Sequence, residues 1–160
     1  MSHPNVPTIK TMANLEAAFA GESMAHIKYR YFAKICAEMG DLETADIFEK
    51  TADQEVMHAF GHLDLLYPKS SLTPAKVLQT AIDGETYEYT EMYPAFKKVA
   101  LEEGNHWAAK ELDEQITESQ VHAQQFVKTL EKAQKRFSAL AKVEERHANH
   151  YQAQLNRLQS

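Results

Sequence analysis

The sequence predicts an all-α chain: a four-helix bundle with an extended C-terminal helical segment. Three observations predict it. Apolar residues recur at three- and four-residue spacing through long segments. The 5 Gly and 5 Pro punctuate the ends of those segments. A length of 160 residues, with 44% hydrophobic and 25% charged content, suits one domain able to bury a core.

The first helix is expected from about Thr8 to Glu38. Gly40 can take the left-handed position after it, and Asp41 can cap a second helix over about Leu42 to Leu66. The polar connection "YPKSSLTPAK" follows. Within it Thr73, as N-cap, and Pro74, at the first helical position, open a third helix. That helix reaches about Glu103, with a kink expected at Pro94 and Gly104 closing it. From Asn105 to Leu158 there is neither Gly nor Pro, so this stretch is one very long helix or two joined without an obvious breaker.

The halves resemble each other. "GESMAHIKYRYFAKICAEMGDLETADIF" from Gly21 parallels "GETYEYTEMYPAFKKVALEEGNHWAAKEL" from Gly84, matching the Gly-Glu pair, Phe32 with Phe96 and Gly40 with Gly104. Two related hairpins imply a pseudo-twofold bundle with equivalent side chains facing its axis.

Composition narrows the function. A formal charge of -6 and no Lys/Arg-rich run argue against a nucleic-acid partner. Cys36 is the only cysteine, so no intrachain disulfide or four-thiolate metal site can form. No apolar run approaches the roughly 20 residues of a membrane span, and "MSHPNVPTIK" lacks a signal-peptide core. The expected location is the cytoplasm, with no membrane partner.

The chemistry lies in carboxylates and histidines. "EVMH" places Glu55 and His58 at i and i+3 on one helix face, and "EERH" gives Glu144 and His147 the same spacing. Counted from Gly40, Glu22 and Glu55 meet at nearly one level across an antiparallel hairpin. Adding Glu85 gives one glutamate from each of two helices and a Glu-x-x-His pair from each of two others, the ligand set of a dinuclear carboxylate site. Glu88, on the same face as Glu85, would repel it unless a cation lay between them. Oxygen and imidazole donors without thiolate favour iron or manganese, and ligand type alone does not choose between them. Any one of these carboxylates alone reads as a solvated helix face; jointly they read as metal ligands. His106, His122 and His150 lack the pairing and read as structural or surface groups.

"FAGES", "QEVMHAF", "GETYEYTEMYP" and "KVEERHANHY" together resemble the ferritin-like di-iron domain of the rubrerythrin family over nearly the whole chain. The resemblance implies a single ferritin-like domain over residues 1–160, holding two iron ions, with manganese or a mixed pair also compatible. It implies the metal ligands Glu22, Glu55, His58, Glu85, Glu88, Glu144 and His147. Glu88 would exchange with His58 on one iron as its oxidation state changes. Tyr29 and Tyr93 match tyrosines that hydrogen-bond ligand carboxylates, so Glu88, Tyr29 and Tyr93 are the expected catalytic residues.

The implied activity is reduction of hydrogen peroxide to water in oxidative-stress defence. Rivals are a ferritin-like iron oxidase or storage protein, and a bundle stapled by its metal. Rubrerythrins in the strict sense carry a four-cysteine rubredoxin module that this sequence lacks. The expected electron donor is therefore external, such as a rubredoxin or another reductase.

A second departure is one of spacing. The family's fourth-helix pair follows the "EEG" turn by about four helical turns, which here falls on Ser119 and His122, with Glu118 one position off. The better match, at Glu144 and His147, comes 25 residues later, so residues of about 107–132 read as a helical insertion. Either a turn near Glu131 to Lys135 brings Glu144 back to site level, or the last segment completes a neighbour's site in a swapped homodimer. The absence of a turn residue favours swapping.

Overall fold

Two glycines end two helices by the same hydrogen bonds, and the residue after each begins the next helix. In the computed structural model, which describes residues 9–158, Gly40 and Gly104 have φ of 85° and 74°. After Gly40, the Asp41 N–H donates to the Cys36 carbonyl (2.9 Å) and the Gly40 N–H to that of Ala37 (3.0 Å). After Gly104, Asn105 donates to Ala100 (2.8 Å) and Gly104 to Leu101 (3.1 Å). Both are Schellman closures, which need the left-handed φ that glycine adopts without a Cβ clash. Each following residue is then an N-cap. Asp41 Oδ1 accepts from the Thr44 N–H (3.0 Å), and Asn105 Oδ1 from that of Ala108 (3.1 Å). The sequence repeat is therefore a repeat of turn geometry.

The chain divides at Leu72/Thr73 into two units. The first holds helix α1 (Ile9–Glu38), helix α2 (Leu42–Leu66) and a short 3-10 turn, Lys69–Ser71. These bounds match expectation, Thr8 lying outside the described residues. α1 and α2 pack as an antiparallel hairpin over Ala33, Ala45, Ala52 and Ala59, whose small side chains let the backbones approach. Arg30 spans the hairpin, donating to Glu49 and Asp53 at 2.6 Å each. Tyr29, Phe32 and Phe48 form an aromatic cluster, with Tyr29 and Phe48 centroids 5.7 Å apart.

The second unit opens with Thr73 as N-cap, its Oγ1 accepting from the Lys76 N–H (3.2 Å), and Pro74 in the first turn. Helix α3 (Pro74–Tyr87) passes through a π turn, Glu88–Met92, into helix α4 (Tyr93–Glu102). The kink expected at Pro94 is this π turn. Pro94 has no N–H for the preceding turn, and the Tyr93 N–H reaches back five residues to the Glu88 carbonyl. Within the turn, the Thr90 hydroxyl donates to the Thr86 carbonyl (2.6 Å).

Helix α5 (His106–Leu158) is one continuous helix of 53 residues. The alternative of a turn near Glu131 to Lys135 is thereby corrected: nothing there interrupts the helix, because every residue is compatible with it. α5 runs antiparallel to α3, and its inward positions follow a heptad through Ala109, Leu112, Ile116, Ser119, Ala123, Phe126, Leu130 and Ala133. The same seam continues through Phe137, Leu140, Glu144, His147 and Tyr151, where the side chains are exposed.

Alanines make up the fully buried apolar residues in both units, and no large side chain among the described residues is completely buried. The first unit leaves Met24, Ile27, Met57 and Phe60 exposed; the second leaves Tyr87, Phe96, Val127 and Phe137 exposed. Burying such side chains is worth about 1.5–3 kcal/mol each, so each hairpin presents a face suited to further packing. No helix among the described residues is long and apolar enough to cross a membrane.

Candidate metal centre

In the first unit, α1 supplies Glu22 and α2 supplies Glu55 and His58. One ligand atom from each lies within 4.8 Å of the others. His58 Nδ1 is 2.9 Å from Glu55 Oε2 and 3.7 Å from Glu22 Oε2. The i, i+3 spacing sets Glu55 and His58 on one face, and the hairpin register set by the Gly40 turn brings Glu22 to their level. The glutamates are largely covered and the imidazole is half-exposed. One turn from Glu22, His26 Nδ1 lies 2.9 Å from the Ala52 carbonyl; an oxygen that can only accept fixes the proton on Nδ1.

In the second unit, α3 supplies Glu85, the π turn begins at Glu88, and α5 supplies Ser119 and His122. The Ser119 hydroxyl donates to Glu88 Oε2 (2.9 Å), and His122 Nδ1 stands 3.5 Å from Glu85 Oε2. Ser119 is 4% exposed. Tyr93 lies beside both carboxylates. Burial, then the negative charges of Glu88 and Glu85, push its phenol above the ordinary range.

Of the expected ligands, the structure brings Glu22, Glu55 and His58 together in one unit, and Glu85 and Glu88 together in the other. On α5 it brings Ser119 and His122 to the level of Glu85 and Glu88. Glu144 and His147 lie elsewhere: 25 residues of unbroken helix separate His122 from His147, about 37 Å at ~1.5 Å per residue. Tyr29 packs its ring on Phe48 in the first unit.

The donor set suits a hard or borderline divalent ion, being carboxylate and imidazole throughout. Glu85 adds a sharper indication. Its Oε2 is buried and has no hydrogen-bond partner among the described residues, an arrangement that costs about 1–3 kcal/mol or more for a charged group. A cation beside Glu85, Glu88 and His122 would remove that cost. Taken unit by unit, the carboxylate and imidazole donors present fit a divalent cation.

A rubrerythrin family model matches residues 13–130, which takes in Ser119 and His122 and stops short of Glu144. Rubrerythrin of Nitratidesulfovibrio vulgaris is 35% identical over 130 residues, covering 74% of this chain and 68% of that protein. Nigerythrin of the same organism is 35% identical over 129 residues, covering 73% and 64%. A rubrerythrin of Porphyromonas gingivalis is 37% identical over 106 residues, covering 59% and 53%. The chain thus spans between about half and two thirds of the length of these relatives. A solved mixed-valence nigerythrin is 32% identical and covers 84% of this chain and 72% of its own, at a TM-score of 0.40. Matched over most of its length, the chain belongs to the rubrerythrin family and to its all-α, ferritin-like four-helix fold class, with α5 providing the extended C-terminal segment.

Proposed function

We propose that this chain is a di-iron peroxidase that reduces hydrogen peroxide to two molecules of water, consuming two electrons and two protons. The observation that carries the reading is the convergence of Glu22, Glu55 and His58 within 4.8 Å. In this reading each unit contributes donors for the iron pair, Glu22, Glu55 and His58 from the first and Glu85, Glu88 and His122 from the second. Such a pair, when bound, supplies one electron from each ion and a positive site for both peroxide oxygens.

The chain's own groups do the rest. The carboxylates hold the ions and neutralise their charge. Tyr93, whose phenol burial and the charges of Glu88 and Glu85 keep protonated, would serve in this reading as a hydrogen-bond donor to those carboxylates. Glu88 or Glu85 can accept and return a proton as water forms. One cysteine among these 160 residues cannot hold a four-thiolate iron, so in this reading the centre takes its electrons from a donor beyond these residues. The exposed apolar faces of the two hairpins favour a homodimer, in which the two ligand sets come from one chain or from two. On the unbroken α5, Glu144 and His147 lie far from Glu85 and Glu88 of their own chain, so in this reading they would serve those two carboxylates only from a second copy.

Stopped-flow spectroscopy of the di-ferrous protein tests the reading. Fast oxidation by peroxide with slow oxidation by dioxygen supports it. The reverse order makes the protein an iron oxidase, and no oxidation by either makes the metal a structural staple.

A further inference from the structure

The two units offer unequal versions of one pattern. A dinuclear carboxylate bundle uses one glutamate from one helix of each pair and Glu-x-x-His from the other. The first unit follows this with Glu22 on α1 and Glu55 and His58 on α2. The second has Glu85 on α3 and His122 on α5, but the position three before His122 is Ser119. One carboxylate is missing from α5.

Its place is not empty of carboxylate. A serine hydroxyl ends several Å short of where a glutamate carboxylate would reach. Ser119 is nearly inaccessible, and its hydroxyl is spent on Glu88 Oε2 at 2.9 Å. Glu88 is also the first residue of the π turn, where the Tyr93 N–H bonds its carbonyl and the ladder is reset by one residue. Beside it, Glu85 Oε2 is buried without a hydrogen-bond partner among the described residues, 3.5 Å from His122.

We propose that Ser119 is a positioning residue that holds Glu88 in the role of the missing α5 carboxylate, making Glu88 a constant ligand instead of an exchangeable extra one. The proposal rests on the metal-centre reading above and refines it. Within the second unit, Glu85 and Glu88 then supply two negative charges, matching one divalent ion, with His122 as a neutral donor. Releasing Glu88 would leave that ion facing the single negative charge of Glu85. The hydroxyl's single proton, directed at Oε2, fixes which oxygen of Glu88 remains for metal, as outer hydrogen bonds do at such sites.

The test is anaerobic titration of the full chain with Co(II), read by ion stoichiometry and by the visible absorption bands that report coordination, beside Fe(II) content. For Ser119→Ala, the expected result is about 10- to 100-fold weaker binding of one ion of the pair, with altered Co(II) bands. Glu88→Ala should lose that ion. The double variant Ser119→Glu/Glu88→Ala should regain it, because the carboxylate then comes from α5 directly, and this recovery separates ligand placement from damage to the fold. Two-ion binding with unchanged bands in Ser119→Ala overturns the proposal while leaving the metal centre intact, as does failure of the double variant to recover the ion. No metal uptake by the unaltered chain overturns both.

Discussion

Glu85 Oε2 is buried 3.5 Å from His122 Nδ1 and accepts no hydrogen bond from the described residues. An acceptor in that state destabilises the metal-free protein and is relieved by a cation. Glu85→Gln is therefore expected to raise the melting temperature of the metal-free protein by a few degrees, on the order of the cost of one unsatisfied buried group. The same variant should abolish most of the further rise on adding Fe(II) anaerobically. Differential scanning calorimetry with and without metal measures both, and a metal-free protein made less stable by the substitution would count against the reading.

Tyr93 gives a second handle. Burial is the larger reason its phenol titrates high, and the negative charges of Glu88 and Glu85 add to it. In metal-free protein, Glu88→Gln removes one of those charges, so the pKa should fall toward the ordinary tyrosine value while remaining above it. Ultraviolet difference titration, with Tyr93→Phe to assign the group, checks the direction. No movement in Glu88→Gln would separate Tyr93 from that carboxylate.

Pro94→Ala returns an N–H to the turn where the π segment closes. It should favour the α register, turning Glu88 relative to Tyr93 and Ser119, with slightly increased thermal stability and roughly tenfold weaker metal binding. Calorimetry and Co(II) titration test the two halves separately. Tight binding together with a retained π turn in a crystal structure would show that proline is not its cause.

The Asp41 cap makes a pH prediction. Hydrogen bonding from Thr44 lowers its pKa below 3.8, so its contribution is fully present above that value and is lost as pH falls through the depressed folded pKa. Asp41→Ala should melt roughly a few degrees lower at neutral pH, and the gap should close in acid. Thermal melts by circular dichroism across pH 2 to 7 measure it; a constant gap would remove the electrostatic part of the cap.

Much of this was legible from local chemistry. Gly40 with Asp41, and Gly104 with Asn105, mark helix ends because a left-handed residue followed by a capping side chain leaves the backbone few alternatives. Thr73 and Pro74 work in the same way. The first unit's cluster was readable because Glu55 and His58 lie on one face and Gly40 sets the register of Glu22.

What was not legible depends on competition between registers. "EERH" is the better ligand pattern, whereas Ser119 and His122 hold the better distance from Gly104, and residue types cannot say which is decisive when a helix runs unbroken between them. The signal for Ser119 was that count of helical turns. The π turn is hidden for a related reason: Pro94 shows that the hydrogen-bond ladder must break, but not whether the chain kinks or widens.

The most direct measurement is anaerobic Fe(II) loading of the intact chain, with ion count and iron–iron separation from anomalous diffraction, repeated for Glu55→Ala, His122→Ala and His147→Ala. The account predicts two neighbouring ions per centre, bound by Glu22, Glu55, His58, Glu85, Glu88 and His122, with loss in the first two variants and retention in His147→Ala. Isolated single ions, or a pair that survives His122→Ala and vanishes in His147→Ala, would contradict it.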